Sequence, residues 1–290
     1  MSVNLAKQIK NISFKDALED YYRLADVDCK DINTNTVIGS KAMDYFFLKY
    51  RLKTKSRGGI DFITYYKTKG WEKNESSRRL YKHNIEVKGY NHTQAVYAVF
   101  RLHYGSINAF KPIVARELYC VYKPKTVLDF SAGWGGRCLA CMAMNINYIG
   151  FDTNTNLRKP YTEMIKSFPT DSDIEIYFQD SSKADFSKFD YDFVFTSPPY
   201  YKNNKPLEKY QEMEVYKTED EFYENFLIPV ITNSYRFLKK GGHFALNIPV
   251  DMYNVVKTIL GNSDKKYLLN IARRRPGTIS YKEYIYVWNK

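Results

Sequence analysis

Short apolar runs and amphipathic stretches alternate along the C-terminal two-thirds of the chain. Seven runs have the length and residue types of β-strands. They lie near 126–130, 148–152, 174–179, 191–196, 243–248, 266–271 and 284–288. Helical patterns between the first six predict parallel pairing, and the direct connection of the last two predicts an antiparallel final strand. The pattern therefore predicts an α/β fold with a doubly wound, mostly parallel seven-stranded sheet.

The clearest helix pattern lies between the fourth and fifth strands. Thr218 is a candidate N-cap with Glu221 completing a capping box, and Gly241-Gly242 ends the pattern. Pro229 should kink or split this helix, because proline lacks the N–H that the helix interior needs.

The N-terminal part of the chain has a different pattern, which predicts a smaller, mainly helical domain over residues 1–104 beside a sheet domain over 105–290. After a Ser40 cap, apolar residues recur with the spacing of an amphipathic helix that faces a core. These residues are Met43, Phe46, Phe47 and Tyr50.

Positive charge is concentrated in the N-terminal part. The chain carries a net charge of +12, and residues 49–88 hold 12 Lys and Arg against 4 Asp and Glu. We expect this stretch to contact nucleic acid phosphates, although a Lys-rich composition is also typical of A+T-rich genomes. The candidate contacts are Lys53, Lys55, Arg57, Arg78, Arg79 and Lys82, with Arg273, Arg274 and Arg275 at the predicted hairpin tip as a second group. A solvated turn is the alternative for the second group.

Several classes of protein are disfavoured by composition. No apolar run approaches the roughly 18 residues of a membrane span, and the N-terminus lacks the apolar segment of a signal peptide, so we expect a cytoplasmic protein. Four cysteines are too few for a disulfide scaffold. Cys138 and Cys141 lie in a predicted helix without a partner pair or histidine cluster, so we expect helix packing and no metal site.

Ser197-Pro198-Pro199-Tyr200 follows the apolar run that ends at Thr196. Two prolines make the chain leave the sheet at once, with carbonyls free to accept hydrogen bonds. Ser197 and the Pro198 carbonyl could accept from the amine of a nucleic acid base and Tyr200 could stack on the base, which would let the amine attack a methyl donor. A simple Pro-Pro turn after a buried strand is the alternative.

A glycine-rich turn upstream predicts a nucleotide-like cofactor. Asp129, Ser131, Gly133 and Gly135 follow a short strand and precede a helix, where backbone N–H groups face a ligand. Leu139 replaces the third glycine of the dinucleotide fingerprint, so S-adenosylmethionine fits better.

Further candidate cofactor contacts lie at the ends of neighbouring elements. Asp152 after the second strand would accept from ribose hydroxyls, and Asp180 after the third from the adenine amine. Phe110-Lys111 precedes Pro112, which opens a helix, so Lys111 could reach the donor's carboxylate. Taken singly, each carboxylate fits a solvated strand end better than a cofactor contact.

With these motifs, residues 105–290 resemble the S-adenosylmethionine-dependent amino-methyltransferases of DNA. The resemblance implies a Rossmann-like methyltransferase fold, S-adenosylmethionine as cofactor, DNA as partner, and base flipping. It places Ser197 to Tyr200 at the catalytic position and Thr196 beside the cofactor. The Thr-Ser-Pro-Pro-Tyr form is typical of cytosine-N4 enzymes. Asp129-Phe130 departs from the family, which has a proline between these two residues.

Several alternatives stay open. Adenine N6 is the second target, and RNA base methylation is the third possibility, because single-stranded RNA could present the same amine without flipping. A catalytically silent nucleic-acid-binding subunit is the fourth. A cysteine-dependent attack on cytosine C5 is disfavoured, because the chain has no Pro-Cys. Residues 201–216 are either a loop that closes over the base or a mobile surface loop.

Overall fold

The computed structural model describes residues 1–56, 58–105, 107–202, 205–206, 215–269 and 283–290. Seven strands form one sheet: β1 Thr126–Asp129, β2 Asn147–Phe151, β3 Ile174–Tyr177, β4 Phe193–Thr196, β5 His243–Ile248, β6 Lys265–Leu268 and β7 Tyr284–Asn289. Their order is β3-β2-β1-β4-β5-β7-β6. Only β7 is antiparallel to its neighbours. The predicted sheet and its antiparallel last strand are therefore confirmed.

Helices surround the sheet and form the N-terminal part. They are α1 Ser2–Ile9, α2 Phe14–Asp26, α3 Ser40–Arg51, α4 Phe62–Lys67, α5 Glu75–Glu86, α6 His92–Tyr104, α7 Pro112–Tyr122, α8 Gly136–Ala143, α9 Arg158–Ser167, α10 Glu219–Phe222, α11 Ile228–Phe237 and α12 Val250–Leu260. None of the helices in the described ranges is long and apolar enough to cross a membrane.

The sheet has a buried core on each face, because side chains alternate along a strand. Val127 faces the core formed with α7, α8 and α9, and the next residue, Leu128, faces the core formed with α11 and α12. Helices α2 and α3 also pack in the first core, through residues such as Tyr21 and Phe47.

Helix α3 joins the N-terminal helices to the sheet. Its Met43 and Phe47 are buried in the core of the sheet, whereas Leu48 and Leu52 at its end are buried in a separate core with α1, α4 and α6. The predicted apolar face of this helix is thus confirmed, although Gly39, with φ +81°, stands at the N-cap position instead of Ser40.

Two helix predictions were wrong in detail. The connection from β3 to β4 contains only 3₁₀ turns, Ser181–Lys183 and Phe186–Lys188, where a helix was expected. Asp180 and Asp185 accept from the backbone N–H two residues ahead, and such local bonds compete with helix formation.

The helix after Thr218 also differs from its prediction. Thr218 caps it as expected, but Glu221 accepts from the backbone of Lys217 instead of completing the box. A π-helical segment, Tyr223–Leu227, precedes Pro229, and this change in hydrogen bonding accommodates the N–H that proline lacks. The helix ends at Phe237 instead of near Gly241.

Candidate active site

The strand order reverses between β1 and β4, which places two predicted motifs side by side. Leu128 pairs with Val194, so the carboxyl ends of these adjacent strands meet. The glycine turn follows β1 and the Ser-Pro-Pro-Tyr segment follows β4. Ligands of open α/β sheets bind in the crevice at such a switch point. The topology thus brings the turn and the tetrapeptide to one crevice.

The glycine turn is held by side chains from two other elements. The Gly133 N–H donates to Asp152 Oδ2 at 2.7 Å, and the Tyr161 hydroxyl donates to the Gly133 carbonyl at 3.0 Å. Gly133 has φ +60°, and a Cβ at this position would meet nothing nearer than the Ser131 carbonyl oxygen, at 3.8 Å. The turn is therefore rigid, and space beside Gly133 is open.

Asp129 lies beneath this turn. Its carboxylate is fully buried and accepts from Arg137 Nε at 2.6 Å, from the Tyr148 hydroxyl at 2.6 Å and from the Ser131 N–H at 3.2 Å. Burial first, and then the Asp129 charge, raise the pKa of Tyr148 well above its usual range, so its hydroxyl stays a donor. Asp129 thus links Ser131 of the turn to Arg137 of α8.

Arg137 completes this support. Besides its bonds to Asp129, it donates at 2.6 Å to the Ser131 carbonyl, and its guanidinium lies 5.2 Å from the ring centroid of Phe110 and 6.0 Å from that of Phe195. Sequence inspection missed Arg137. Its signal was a charged residue in the otherwise apolar first turns of α8.

Two close approaches fix the second half of the turn. A Cβ on Gly136 would lie 2.1 Å from the Phe110 carbonyl oxygen, and one on Gly135 would lie 2.8 Å from the ring of Phe47. The structure therefore brings Phe110 to the turn, and it also brings α3 from the N-terminal part to the same place.

The other candidate cofactor contacts, Asp152, Asp180 and Lys111, each make hydrogen bonds within the chain. Asp152 Oδ1 accepts from the Asn154 N–H at 2.8 Å, and Asp180 accepts from the Ser182 N–H at 3.0 Å while its other oxygen lies 3.3 Å from Lys183 Nζ. Carboxylate oxygens accept more than one bond each, so these bonds do not in themselves prevent either residue from accepting from a ligand. Lys111 stands at the N-cap of α7, which begins at Pro112 as predicted, and donates to the Thr34 carbonyl at 3.2 Å.

Thr196 gives an independent indication that the crevice suits a polar ligand. It is the last residue of β4 and is fully buried, and its Oγ1 has no hydrogen-bond partner among the described residues. A buried hydroxyl without a partner costs about 1–3 kcal/mol. An orphaned polar atom at the end of the strand that pairs with β1, ahead of the glycine turn, fits a polar cofactor such as S-adenosylmethionine.

The tetrapeptide forms a hydrogen-bonded corner with two residues that the sequence did not suggest. The Tyr200 hydroxyl lies 3.0 Å from Ser197 Oγ, 2.7 Å from Glu283 Oε1 and 2.9 Å from the Asn247 carbonyl oxygen. Ser197 Oγ also lies 3.2 Å from Asn247 Oδ1. We call these four residues the acceptor corner. Of the two prolines, Pro198 is buried and Pro199 is half-buried.

The acceptor corner contains more hydrogen-bond acceptors than hydrogens available for donation. Ser197 and Tyr200 contribute one hydroxyl hydrogen each, and the side-chain amide of Asn247 donates outward, to the Tyr284 carbonyl at 3.1 Å. The Asn247 oxygens and the Glu283 carboxylate only accept. The corner is thus suited to a ligand that brings hydrogen-bond donors, as an amino group does.

Several of the predicted phosphate contacts lie on or beside the N-terminal helices. Arg78, Arg79 and Lys82 are exposed on α5, where Arg79 and Lys82 pair with carboxylates one turn away. Lys53 and Lys55 are exposed in the segment after α3. Arg57, Arg273, Arg274 and Arg275 lie outside the described residues, as does most of the stretch 201–216.

The cysteines take no part in the crevice. Cys138 and Cys141 are buried in α8, which confirms the helix-packing prediction, and burial raises the pKa of the Cys141 thiol. Cys29 and Cys120 form a disulfide between the segment after α2 and α7. Among the described residues, no group of histidine, cysteine and acidic side chains is placed to hold a metal ion.

Residues 191–288 match the model of the N6/N4 DNA methylase family. This segment contains the tetrapeptide and all four residues of the acceptor corner, so the resemblance to DNA amino-methyltransferases is confirmed. The match does not separate cytosine N4 from adenine N6. No curated protein matches the chain.

Among solved structures, the chain is similar to precorrin 8W decarboxylase of Methanobacterium thermoautotrophicum, with 16% identity and a TM-score of 0.45 over 63% of this chain and 92% of that one. It is also similar to a SAM-dependent O-methyltransferase of Thermotoga maritima, with 13% identity and a TM-score of 0.42 over 66% and 70%. A tRNA (m1A58) methyltransferase of Aquifex aeolicus has 13% identity and a TM-score of 0.40 over 62% and 68%. These similarities are too weak to carry a functional comparison.

Proposed function

We propose that this protein transfers a methyl group from S-adenosylmethionine to the exocyclic amine of a DNA base, with cytosine N4 as the first target. The proposal rests on the acceptor corner beside the glycine turn at the switch point of the sheet. S-adenosylmethionine, when bound, supplies an electrophilic methyl group on a positively charged sulfur.

The carboxylates around the turn suit the polar parts of this cofactor. Asp152 would accept from the ribose hydroxyls and Asp180 from the adenine amine, while Thr196 would pair its orphaned hydroxyl with a polar group of the donor. The open space beside Gly133 lets the donor approach the backbone. Asp129 and Arg137 would keep the turn in its conformation through their hydrogen bonds to the Ser131 backbone.

The acceptor corner suits the second substrate. An exocyclic amine is a weak nucleophile, because its lone pair is delocalised into the ring of the base. Acceptors at Ser197 and at the Pro198 carbonyl would orient both N–H bonds, so that the lone pair faces the methyl group. Most of the rate acceleration then comes from positioning.

Tyr200 would stack on the target base, because its hydroxyl is anchored by Glu283 and Asn247 and its ring is held in place. A stacked base contributes about 1–3 kcal/mol. The base must leave the duplex to reach this ring, since its amine is otherwise paired and buried. The N-terminal basic residues would hold the phosphates meanwhile.

Cytosine N4 is preferred because serine precedes Pro-Pro, the form typical of cytosine-N4 enzymes. The test is transfer of a labelled methyl group to duplex DNA, single-stranded DNA and RNA, followed by digestion to nucleosides and mass spectrometry. N4-methyldeoxycytidine is the expected product. N6-methyldeoxyadenosine would show that the target base is adenine, and methylation of RNA alone would show that the substrate is RNA. No transfer at all would favour a silent binding subunit.

Two variants make this test specific to the corner. Ser197→Ala and Tyr200→Ala should each reduce transfer at least tenfold, because one removes an amine acceptor and the other removes the stacking ring. Ser187→Ala, on an exposed 3₁₀ turn, is the matched control and should transfer at the wild-type rate. A fully active Tyr200→Ala protein would contradict the stacking role.

A further inference from the structure

We infer that Ser197, Tyr200 and Glu283 form a proton relay that removes the proton released when the amine is methylated. The inference rests on the proposed function and adds Glu283 to the site. Glu283 comes from the segment just before β7, 83 residues after Tyr200. The sheet brings it to the corner because β7 pairs with β5, which carries Asn247.

The three side chains form a continuous chain of hydrogen bonds. Ser197 Oγ lies 3.0 Å from the Tyr200 hydroxyl, which lies 2.7 Å from Glu283 Oε1. The carboxylate can only accept and each hydroxyl carries one hydrogen, so in the relay Tyr200 donates to Glu283 and Ser197 donates to Tyr200. The Asn247 oxygens compete for the same hydrogens, at 2.9 Å from the Tyr200 hydroxyl and 3.2 Å from Ser197 Oγ. In this arrangement the Ser197 oxygen keeps lone pairs that can accept from an N–H.

The proton has a complete path along this chain. As the new carbon–nitrogen bond forms and the carbon–sulfur bond of the donor breaks, positive charge passes to the amine nitrogen. An N–H proton then moves to Ser197 Oγ, the Ser197 hydroxyl proton moves to Tyr200, and the Tyr200 proton moves to Glu283. The carboxylate becomes a carboxylic acid, while the methylated amine is left neutral.

The position of Glu283 suits the end of such a path. The residue is half-buried, so its carboxylate is shielded enough to attract positive charge and exposed enough to return the proton to water. In the described part of the corner, Glu283 is the only carboxylate that contacts Ser197 or Tyr200. The relay gives the Tyr200 hydroxyl a role separate from the stacking of its ring.

The test compares single-turnover methyl transfer by the wild type, Tyr200→Phe, Glu283→Gln and the double variant. Tyr200→Phe keeps the stacking ring, and Glu283→Gln keeps an oxygen that accepts from the phenol, so both preserve the shape of the corner. Each should slow transfer about a hundredfold, within the range of general acid–base groups. Because both variants break one path, the double variant should be no slower than the slower single variant.

The chain offers a matched control for Glu283. Glu175 accepts from the Tyr177 hydroxyl in β3, which makes a second tyrosine–glutamate pair outside the acceptor corner. Glu175→Gln should transfer at the wild-type rate. Equal urea midpoints of all variants would show that rates are compared between equally folded proteins.

Two further measurements separate a relay from a structural contact. The wild-type rate should fall on the acid side as a carboxylate is protonated, and Glu283→Gln should lose that acid limb. Without donor or DNA, the ¹³Cζ resonance of labelled Tyr200 should shift in Glu283→Gln and stay unchanged in Glu175→Gln. The second measurement requires no activity.

The outcomes distinguish the relay from the proposed function. A wild type that methylates no nucleic acid would overturn the proposed function. An active wild type with an equally active Glu283→Gln overturns the relay alone. So does a slow Glu283→Gln whose pH profile is unchanged and whose effect multiplies with that of Tyr200→Phe.

Discussion

Replacing Arg137 with methionine tests the support under the glycine turn. Methionine keeps much of the length of the side chain and removes the charge, so Asp129 is left as a fully buried carboxylate without its cation. The exposed fractions of the two side chains are 4% for Arg137 and 0% for Asp129. Breaking such a pair on one side costs about 3–5 kcal/mol.

We therefore expect the free energy of unfolding to fall by about 4 kcal/mol and the melting temperature by about 10 °C. Urea unfolding followed by tryptophan fluorescence, together with calorimetry, measures both. Affinity for the donor should fall as well, because the Ser131 carbonyl loses its partner and the turn loosens. Adding Asp129→Asn should recover part of the stability, since the uncompensated charge is then gone and the amide oxygen still accepts from Tyr148.

Arg79→Met is the matched control. Arg79 pairs with Glu75 on the surface of α5, with exposed fractions of 78% and 69%. Exposed pairs contribute less than about 1 kcal/mol, so this variant should be nearly as stable as the wild type. The free energy of unfolding of Arg137→Met could also lie within about 1 kcal/mol of the wild-type value, the range of an exposed pair. In that case the assignment of Asp129 and Arg137 as the support of the turn would be wrong.

Three more predictions concern the donor and the nucleic acid. Thr196→Val removes an orphaned hydroxyl, so it should keep or slightly raise the stability of the protein. It should also weaken donor binding, measured by calorimetry, about tenfold. Unchanged affinity would exclude Thr196 from the donor site. Gly133→Ala should cost about 1 kcal/mol of stability and should also weaken donor binding. Gly89 has a similar φ of +65° and open surroundings, so Gly89→Ala should cost stability alone. Equal donor affinities of the two variants would show that the donor does not use the open space beside Gly133. Arg79→Gln with Lys82→Gln should lower the salt slope of DNA binding by about 1.8, and an unchanged slope in fluorescence anisotropy would remove α5 from the DNA-binding face.

The sequence predicted the sheet well because its signals are local. Most of the strands are short apolar runs, and the absence of a helix before β7 was enough to predict its antiparallel direction. The connection from β3 to β4 failed for a local reason as well. Its Asp180-Ser181-Ser182 and Asp185-Phe186-Ser187 segments form Asp-capped turns, and the aspartates at their start were a readable sign against a helix.

The site was predicted only in part, because its remaining members depend on tertiary pairing. Asn247 is a single polar residue in an apolar strand, and it reaches Ser197 only because β5 pairs with β4. Glu283 depends in turn on the pairing of β7 with β5. The contact of Asp129 with Arg137 depends on the fold in the same way, since a carboxylate at a strand end looks the same in sequence whether it faces a ligand or a buried arginine.

A crystal structure of the protein with S-adenosylhomocysteine tests the central claim most directly, because that claim concerns where the sulfur of the donor lies. The account predicts the sulfur at the switch point, over the Gly133 turn and facing Ser197, with Thr196 Oγ1 hydrogen-bonded to the ligand. A ligand bound elsewhere, or one whose sulfur points away from the acceptor corner, would contradict it.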